Sequence, residues 1–158
     1  MAKEKATIVF FSGELDKALA GMIIALGAAA KGMEVRLFFT FWGLNIIRKD
    51  KLFVGKNFVQ RLFGLINRGG AKHLKLSKFN FCGVGKGMMK GLMKQYNIRD
   101  IPAMIKDLKQ LGVTFQACDT SMVIMGLKKE DFIEEVSEIA DISDFLENAT
   151  KSKINLFI

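Results

Sequence analysis

The N-terminal part of the chain alternates between two apolar strands and a helix of small residues, and this alternation limits the possible folds most. Ala6–Phe11 is a continuous apolar run, typical of a parallel strand that is covered on both faces. Ser12-Gly13 supplies a turn, and an alanine- and glycine-rich helix is predicted from Asp16 to about Lys31. Met33–Thr40 predicts a second strand. Strand, helix and strand in this order predict a βαβ unit, whose crossover is nearly always right-handed.

Alternating strand and helix patterns return after residue 99. We predict a helix that is capped by Asp100, with an apolar face formed by Ile101, Met104, Ile105, Leu108 and Leu111. The remaining predicted elements are a strand at Val113–Cys118, a short helix from Asp119 to Met125, helices at about Lys129–Ile139 and Ser143–Thr150, and a strand at Ile154–Ile158. The alternation predicts an α/β fold, a three-layer α/β/α arrangement with a mainly parallel sheet of about five strands.

The positive charge of the chain is concentrated in its middle. The formal net charge is +8, and Arg48–Lys94 holds 12 basic side chains against the single Asp50. Amphipathic helices are predicted there at Leu52–Ile66 and Met88–Tyr96. We therefore predict one domain over residues 1–158, with a basic amphipathic helical insertion at about residues 48–97.

The basic insertion raises the question of a partner. Clustered lysine and arginine suit nucleic-acid phosphates, but no nucleic-acid-binding motif accompanies them, so no nucleic-acid partner is expected. The abundant Phe, Leu and Met of the insertion suit an acidic protein or an anionic lipid surface equally well, which leaves peripheral membrane contact open. Apolar insertion faces also favour a homo-oligomer, because large apolar patches seldom stay exposed.

Composition narrows the compartment and the cofactors. Two cysteines, Cys82 and Cys118, form no disulfide framework, which is typical of a reducing compartment. The longest early uncharged run, Ala18–Ala30, is shorter than the ~20 residues of a membrane-spanning helix. The chain is therefore expected to be cytoplasmic. With one histidine, His73, it has no zinc pattern, and we expect neither a metal nor a cofactor.

Three predicted strand ends meet where ligands bind in open α/β sheets, at the carboxyl edge. They carry Ser12-Gly13, Phe41-Trp42-Gly43 and Cys118-Asp119, and Cys118 is the strong nucleophile of this set. A position just before a helix can lower the pKa of a thiol from about 8.5 to ~3.5–7.5. Free cysteines are also common as small buried apolar residues. Position alone leaves both interpretations of Cys118 open.

Four segments together resemble the DsrE/DsrF/DsrH-like family, specifically its DsrE-like branch, once labelled peroxiredoxin-like. They are Thr7–Ala18, Phe38–Leu44, Ser77–Asn80 with Met88–Lys90, and Ala117–Gly126. The resemblance implies a three-layer α/β/α sheet and a role in sulfur trafficking. In it, Cys118 would accept sulfane sulfur as a persulfide and pass the sulfur on to a partner.

The resemblance also implies partners and neighbours for that cysteine. Rhodanese-type sulfurtransferases and small TusA-like carriers are the partners that the family suggests. The binding residues expected around Cys118 are Ser12, Gly13, Trp42, Asp119, Ser121 and Met122. Whether such a protein turns over as a sulfurtransferase or only carries sulfur is left open. Two alternatives stand beside this hypothesis: a non-catalytic adaptor that docks through its basic insertion, and, third, a peroxidase, for which no resolving cysteine is placed.

Overall fold

The computed structural model describes residues 3–51, 57, 58, 60, 62 and 69–158. The strands are β1 (Lys5–Phe10), β2 (Glu34–Phe39), β3 (Thr114–Cys118), β4 (Glu138–Ala140) and β5 (Ile154–Phe157). The α-helices of the described residues are α1 (Leu15–Ala30), α2 (Leu44–Ile47), α3 (Val84–Gln95), α4 (Ile101–Gln110), α5 (Asp119–Met125) and α6 (Ile142–Thr150). Short 3₁₀ turns lie at Phe41–Gly43, Phe81–Gly83 and Lys129–Asp131.

The five strands form one parallel sheet in the order β4-β3-β2-β1-β5. Strands β1 and β2 pair along their whole length, from Lys5 opposite Glu34 to Phe10 opposite Phe39. Because every pair is parallel, the carboxyl ends of all strands lie at one edge. The predicted three-layer α/β/α fold with a sheet of five strands is confirmed.

The main core lies between one face of the sheet and helices α1 and α4. Three aromatic rings stack across adjacent strands: Phe10 on Phe39 at 4.9 Å between ring centroids, and Phe39 on Phe115 at 5.9 Å. Helix α1 fits closely over this stack because Gly21 carries no side chain, and a Cβ there would lie 2.4 Å from the Phe10 ring. The small residues of α1 therefore let its backbone approach the sheet.

The opposite face of the sheet carries a smaller apolar cluster under α6. Val9, Phe38, Cys118 and Ala140 are buried together, and Phe145 of α6 packs against them with its ring 4.8 Å from that of Phe38. Alternate residues of β3 supply the two clusters, since successive side chains of a strand point to opposite faces. Cys118 thus belongs to the α6 face and not to the main core.

Helix α4 begins and packs largely as predicted. The Asp100 side chain accepts a hydrogen bond of 2.9 Å from the Ala103 amide, and the predicted cap is confirmed. Ile101, Met104, Ile105 and Leu108 are buried. The prediction that Leu111 joins this face is wrong, because the helix ends at Gln110 and Leu111 is exposed.

The helix predicted at Lys129–Ile139 is wrong. A 3₁₀ turn at Lys129–Asp131 is followed by a bridge between Phe132 and Arg48, by a turn at residues 134 and 135, and then by β4, which pairs with β3. Hydrogen bonding to the sheet decides the outcome: the Ser137 amide donates to the Phe115 carbonyl at 2.9 Å, before β4 begins. The acidic residues of this segment have helical spacing, but the bridge at Phe132 and the pairing of Glu138 with β3 interrupt a helix there.

The later part of the basic insertion packs near the beginning of α1. Helix α3 confirms the helix predicted at Met88–Tyr96 and begins four residues earlier, at Val84. The Leu15 amide donates to the Lys75 carbonyl at 2.8 Å, and Asp16 accepts from the Ser77 amide at 2.9 Å. The helix predicted at Leu52–Ile66 lies outside the described residues, except for residues 57, 58, 60 and 62. No helix in the described ranges is long and apolar enough to span a membrane.

Candidate functional site

Cys118 ends β3 and is at the same time the N-cap residue of α5. Its thiol is free and its side chain is only 7% exposed, packed in the cluster with Val9, Phe38 and Ala140. Parallel pairing puts Ala140 directly opposite Cys118 on β4. The nucleophile expected from the sequence therefore stands at the carboxyl edge of the sheet, shielded from bulk water by α6 and its Phe145.

A hydroxyl pair connects this edge to the neighbouring strand. Thr40, immediately after β2, lies 2.7 Å from Ser121 of α5, measured between their Oγ1 and Oγ atoms. Ser121 is fully buried, so this bond holds the first turn of α5 against the end of β2. Sequence reasoning placed Ser121 at the site but missed Thr40, although its position between the apolar strand and Phe41-Trp42-Gly43 was the available signal.

The loops after β1 and β2 meet at the same edge. A Cβ on Gly13 would lie 2.5 Å from the carbonyl oxygen of Trp42, so only glycine fits this contact. Ser12 is buried and its Oγ accepts a hydrogen bond of 2.9 Å from Nζ of Lys17. Trp42 keeps much of its ring exposed. Ser12, Gly13 and Trp42 therefore form a wall at this edge, and the charge of Lys17 beside them is paired with Glu14 at 3.3 Å.

Of the remaining predicted binding residues, Asp119 is partly exposed and Met122 is buried. Asp119 is partly exposed, and its carboxylate accepts hydrogen bonds from the amide and the hydroxyl of Thr120, the latter at 3.0 Å. Met122 belongs to the main core cluster, on the face opposite the Cys118 side chain. Met122 therefore anchors α5 in the main core and does not surround the Cys118 thiol.

The carboxylate of Asp16 lies where the basic insertion meets α1. Partial burial raises the pKa of Asp16, but hydrogen bonds from the Ser77 hydroxyl and amide outweigh it, and the net pKa is lowered. Asp16 thus stays ionised where the basic insertion meets α1.

The second cysteine, Cys82, lies within the basic insertion. It is exposed on a 3₁₀ turn with a φ of 54°. Among the described residues, no group of His, Cys, Asp and Glu is arranged to hold a metal ion.

The protein is thus a three-layer α/β/α protein with a five-stranded parallel sheet, in which a free cysteine occupies the N-cap position of the helix after β3. The chain matches the DsrE/DsrF/DrsH-like family over residues 2–157 and belongs to that family, as the sequence motifs predicted. The family resemblance that four segments of the sequence indicated is thereby confirmed over nearly the whole chain.

Two curated relatives cover essentially the same length. The chain is 40% identical to the uncharacterized protein YrkE of Bacillus subtilis over 156 residues, which span 98% of this chain and 97% of YrkE. It is 32% identical to the sulfur carrier protein DsrE2 of Allochromatium vinosum, with 100% of both chains covered.

Solved structures of low sequence identity share the fold. The protein MTH1491 of Methanobacterium thermoautotrophicum superposes with a TM-score of 0.60 at 11% identity, covering 99% of this chain and 100% of MTH1491. The ychN protein of E. coli gives a TM-score of 0.59 at 12% identity, with 99% of this chain and 100% of ychN covered. These similarities support the fold alone.

Proposed function

We propose that this protein carries sulfane sulfur as a persulfide on Cys118 and transfers it to an acceptor thiol protein. The observation that carries the proposal is the free Cys118 thiol at the carboxyl edge of the sheet. Full-length similarity to a protein named as a sulfur carrier supports the same assignment. The acceptor is proposed to be a rhodanese-type or TusA-like protein of the reducing cytoplasm.

The chemistry requires only thiolate exchange. The Cys118 thiolate attacks the outer sulfur of a donor persulfide, a new S–S bond forms, and the S–S bond of the donor breaks to release the donor thiolate. With thiosulfate, the same attack releases sulfite. An acceptor thiolate then attacks the outer sulfur of the Cys118 persulfide, and Cys118 leaves as a thiolate. No net oxidation or reduction accompanies the two steps.

The packing around Cys118 suits storage between those steps. A persulfide in the cluster with Val9, Phe38 and Ala140 is screened from water and from stray thiols. Access requires local movement of α6, whose Phe145 packs against this cluster. A partner that displaces α6 would expose the persulfide at the moment of transfer, which links delivery of sulfur to docking.

Intact-mass measurement tests the carrier. Because Cys82 is an exposed thiol that polysulfide also modifies, both proteins in the comparison carry Cys82→Ser. After incubation with polysulfide or thiosulfate and removal of excess reagent, Cys82→Ser should gain about 32 Da, the mass of one sulfur atom. The double variant Cys82→Ser, Cys118→Ser is the control and should gain none, because no thiol remains. An equal adduct on the double variant, or no adduct on Cys82→Ser, would contradict the proposal.

A second candidate function, docking by a non-catalytic adaptor, is favoured by the exposed face of α3. The exposed apolar side chains recur every four residues along this helix, at Val84, Met88, Leu92 and Tyr96. Lys86 and Lys90 lie on the other side of this helix, two positions beyond Val84 and Met88, and both donate to the Lys72 carbonyl, at 2.9 and 3.3 Å. Burial lowers the pKa of Lys86, and repulsion from Lys90 and Lys75 lowers it further. An exposed apolar stripe on a helix that also carries lysines suits an anionic surface or self-association.

Charge reversal separates the two candidates. On phosphatidylserine-containing vesicles, an adaptor should bind equally as wild type and as Cys118→Ser, because the thiol plays no part. The triple variant Lys86→Glu, Lys90→Glu, Lys94→Glu should bind about a hundredfold or more weakly at low salt, since each lysine near an anionic surface contributes about 1 kcal/mol. Vesicle binding that ignores the reversals would count against the adaptor and leave the carrier test unaffected.

A further inference from the structure

Three aromatic rings form a corner on the same face of the sheet as Cys118. Phe157 of β5 lies opposite Val9 in register, and Phe11 follows two residues after Val9. Because Val9 and Cys118 belong to one cluster, alternation along the strands puts Phe157 and Phe11 on that face. The ring centroids of Phe11 and Phe157 are 5.8 Å apart, and Phe41 lies 5.7 Å from Phe11. We call Phe11, Phe41 and Phe157 the aromatic corner.

Helix α6 does not cover the aromatic corner. The helix begins after β4, at the carboxyl edge, and its end lies near the beginning of β1, where Oγ of Ser152 is 2.7 Å from Oγ1 of Thr7. It therefore crosses the sheet diagonally, away from the carboxyl ends of β1 and β5. Phe157 is accordingly 72% exposed, and Phe11 and Phe41 are each 39% exposed. Apolar side chains that contact one another and stay open to solvent indicate an interaction surface.

The aromatic corner and Cys118 are close enough to contact one partner protein. Phe10 lies opposite Phe39 on β2, and Phe39 lies opposite Ala117 on β3. The next residues along β1 and β3, Phe11 and Cys118, are therefore two strand spacings apart, roughly 10 Å at the carboxyl edge. A protein interface buries about 800 Å² on each partner, which is a disc of roughly 16 Å radius. A protein that brings a thiol to Cys118 therefore also covers the aromatic corner.

The other side of Cys118 is acidic. Asp119 follows Cys118 directly, and Asp141 follows Ala140, which pairs with Cys118. Asp119 and Asp141 thus leave the sheet side by side, and the exposed Asp144 is close to them, since its amide donates to Asp141 at 2.8 Å. None of these three carboxylates forms an ion pair with a described lysine, arginine or histidine. Their uncompensated charge attracts a cationic partner to this side.

We propose, resting on the proposed carrier function, that this edge docks an acceptor protein whose cysteine has cationic residues on one side and apolar residues on the other. The cations meet Asp119 and Asp141, and the apolar side chains meet the aromatic corner. The acceptor thiolate attacks the outer sulfur of the Cys118 persulfide, a new S–S bond forms, and the bond between that sulfur and Sγ of Cys118 breaks to leave a Cys118 thiolate. Charge complementarity speeds the encounter, and the aromatic contacts slow dissociation.

Sulfur transfer to short cysteine peptides tests this docking surface. The parent protein carries Cys82→Ser, so that Cys118 is its one thiol, and it is loaded with polysulfide and freed of excess reagent. Three acetylated and amidated peptides serve as acceptors: Lys-Lys-Cys-Leu-Phe, Lys-Lys-Cys-Ser-Ser and Ser-Ser-Cys-Leu-Phe. Mass spectrometry follows the gain of about 32 Da by each peptide and yields second-order rate constants. Each rate is compared between the parent and a variant for the same peptide, which cancels differences in peptide thiol reactivity.

The two sides of the docking surface should respond to different peptides. Phe157→Ser should slow transfer to Lys-Lys-Cys-Leu-Phe about threefold or more and leave Lys-Lys-Cys-Ser-Ser unchanged, because only apolar contact is lost. Asp119→Asn with Asp141→Asn should slow transfer to Lys-Lys-Cys-Leu-Phe about threefold or more at low salt and leave Ser-Ser-Cys-Leu-Phe unchanged. Asparagine keeps an acceptor oxygen at both positions, so the hydrogen bonds from the Thr120 and Asp144 amides survive.

Two controls make equivalent changes at the amino edge of the sheet. Leu111→Ser removes an exposed apolar side chain before β3, and Glu4→Gln with Glu34→Gln removes two carboxylates at the beginning of β1 and β2. Both should transfer sulfur like the parent. Rates that ignore Phe157→Ser and the paired asparagines, or a Phe157→Ser that lowers the oligomeric mass in sedimentation, would overturn the docking surface and leave the carrier intact. A parent that does not load sulfur would overturn both.

Discussion

Replacing Phe39 with alanine should lower the free energy of unfolding by about 3–5 kcal/mol, the range for deleting a buried aromatic ring. Phe39 is 0% exposed and is the middle ring of the Phe10–Phe39–Phe115 stack. Its removal deprives both neighbouring rings of a partner and leaves a cavity at the centre of the sheet. The strands on either side cannot close that cavity, because their hydrogen-bond register fixes their separation. Urea unfolding, followed by circular dichroism, measures the change.

Phe79→Ala is the matched control for this prediction. Phe79 is 74% exposed, so the same substitution there removes a ring that mostly contacts solvent and leaves no cavity in the core. Its effect should stay within about 0.5 kcal/mol. Equal losses from the two variants would mean that the aromatic stack does not form the centre of the core.

Gly43→Ala should destabilise the fold by about 3 kcal/mol or more, at or beyond the upper range for overpacked interiors. A Cβ at Gly43 would lie 1.9 Å from the carbonyl oxygen of Phe10. The obstacle is backbone, which cannot turn away as a side chain does. The Gly43 amide also donates to the Phe11 carbonyl at 2.9 Å. The added methyl group must therefore push the 3₁₀ turn after β2 away from the end of β1. The same separation would disturb the wall formed by Gly13 and Trp42.

Gly91→Ala provides a control of opposite sign. Gly91 lies inside α3, and a Cβ there would meet nothing within 4 Å. Alanine should therefore stabilise the protein by about 0.5–1 kcal/mol through helix propensity alone. Thermal unfolding of both variants would show shifts in opposite directions, and a loss of stability in Gly91→Ala would contradict the open surroundings of this face.

The sequence was sufficient for much of the architecture. A continuous apolar run identified β1, and the Asp100 side chain marked the beginning of α4. The strand ends also indicated where Ser12, Gly13 and Trp42 lie relative to one another, because parallel strands share one carboxyl edge.

Tertiary pairing explains what the sequence did not reveal. The spacing of Glu134, Glu135 and Glu138 is helical, yet pairing with β3 draws the chain into β4, and no local signal announces an edge strand of three residues. From the sequence, Arg48 is one more cation of the basic insertion, whereas in the structure it is buried. Burial of a single long side chain depends on how the chain after α2 packs. Which face of the sheet Met122 joins likewise follows from the orientation of α5 and not from its sequence.

The order of the strands in the sheet also determines when the fold can be completed. Strand β5 pairs with β1, so that Ala6 lies opposite Ile154, although nearly the whole chain separates them. Such distant pairing slows folding, because the loop between β1 and β5 must close before these two strands can pair. During synthesis, β1 keeps one open edge until residues 154–157 have left the ribosome. The nascent chain thus exposes Ile8 and its neighbours to aggregation, and a chaperone that covers this edge would increase the yield of folded protein.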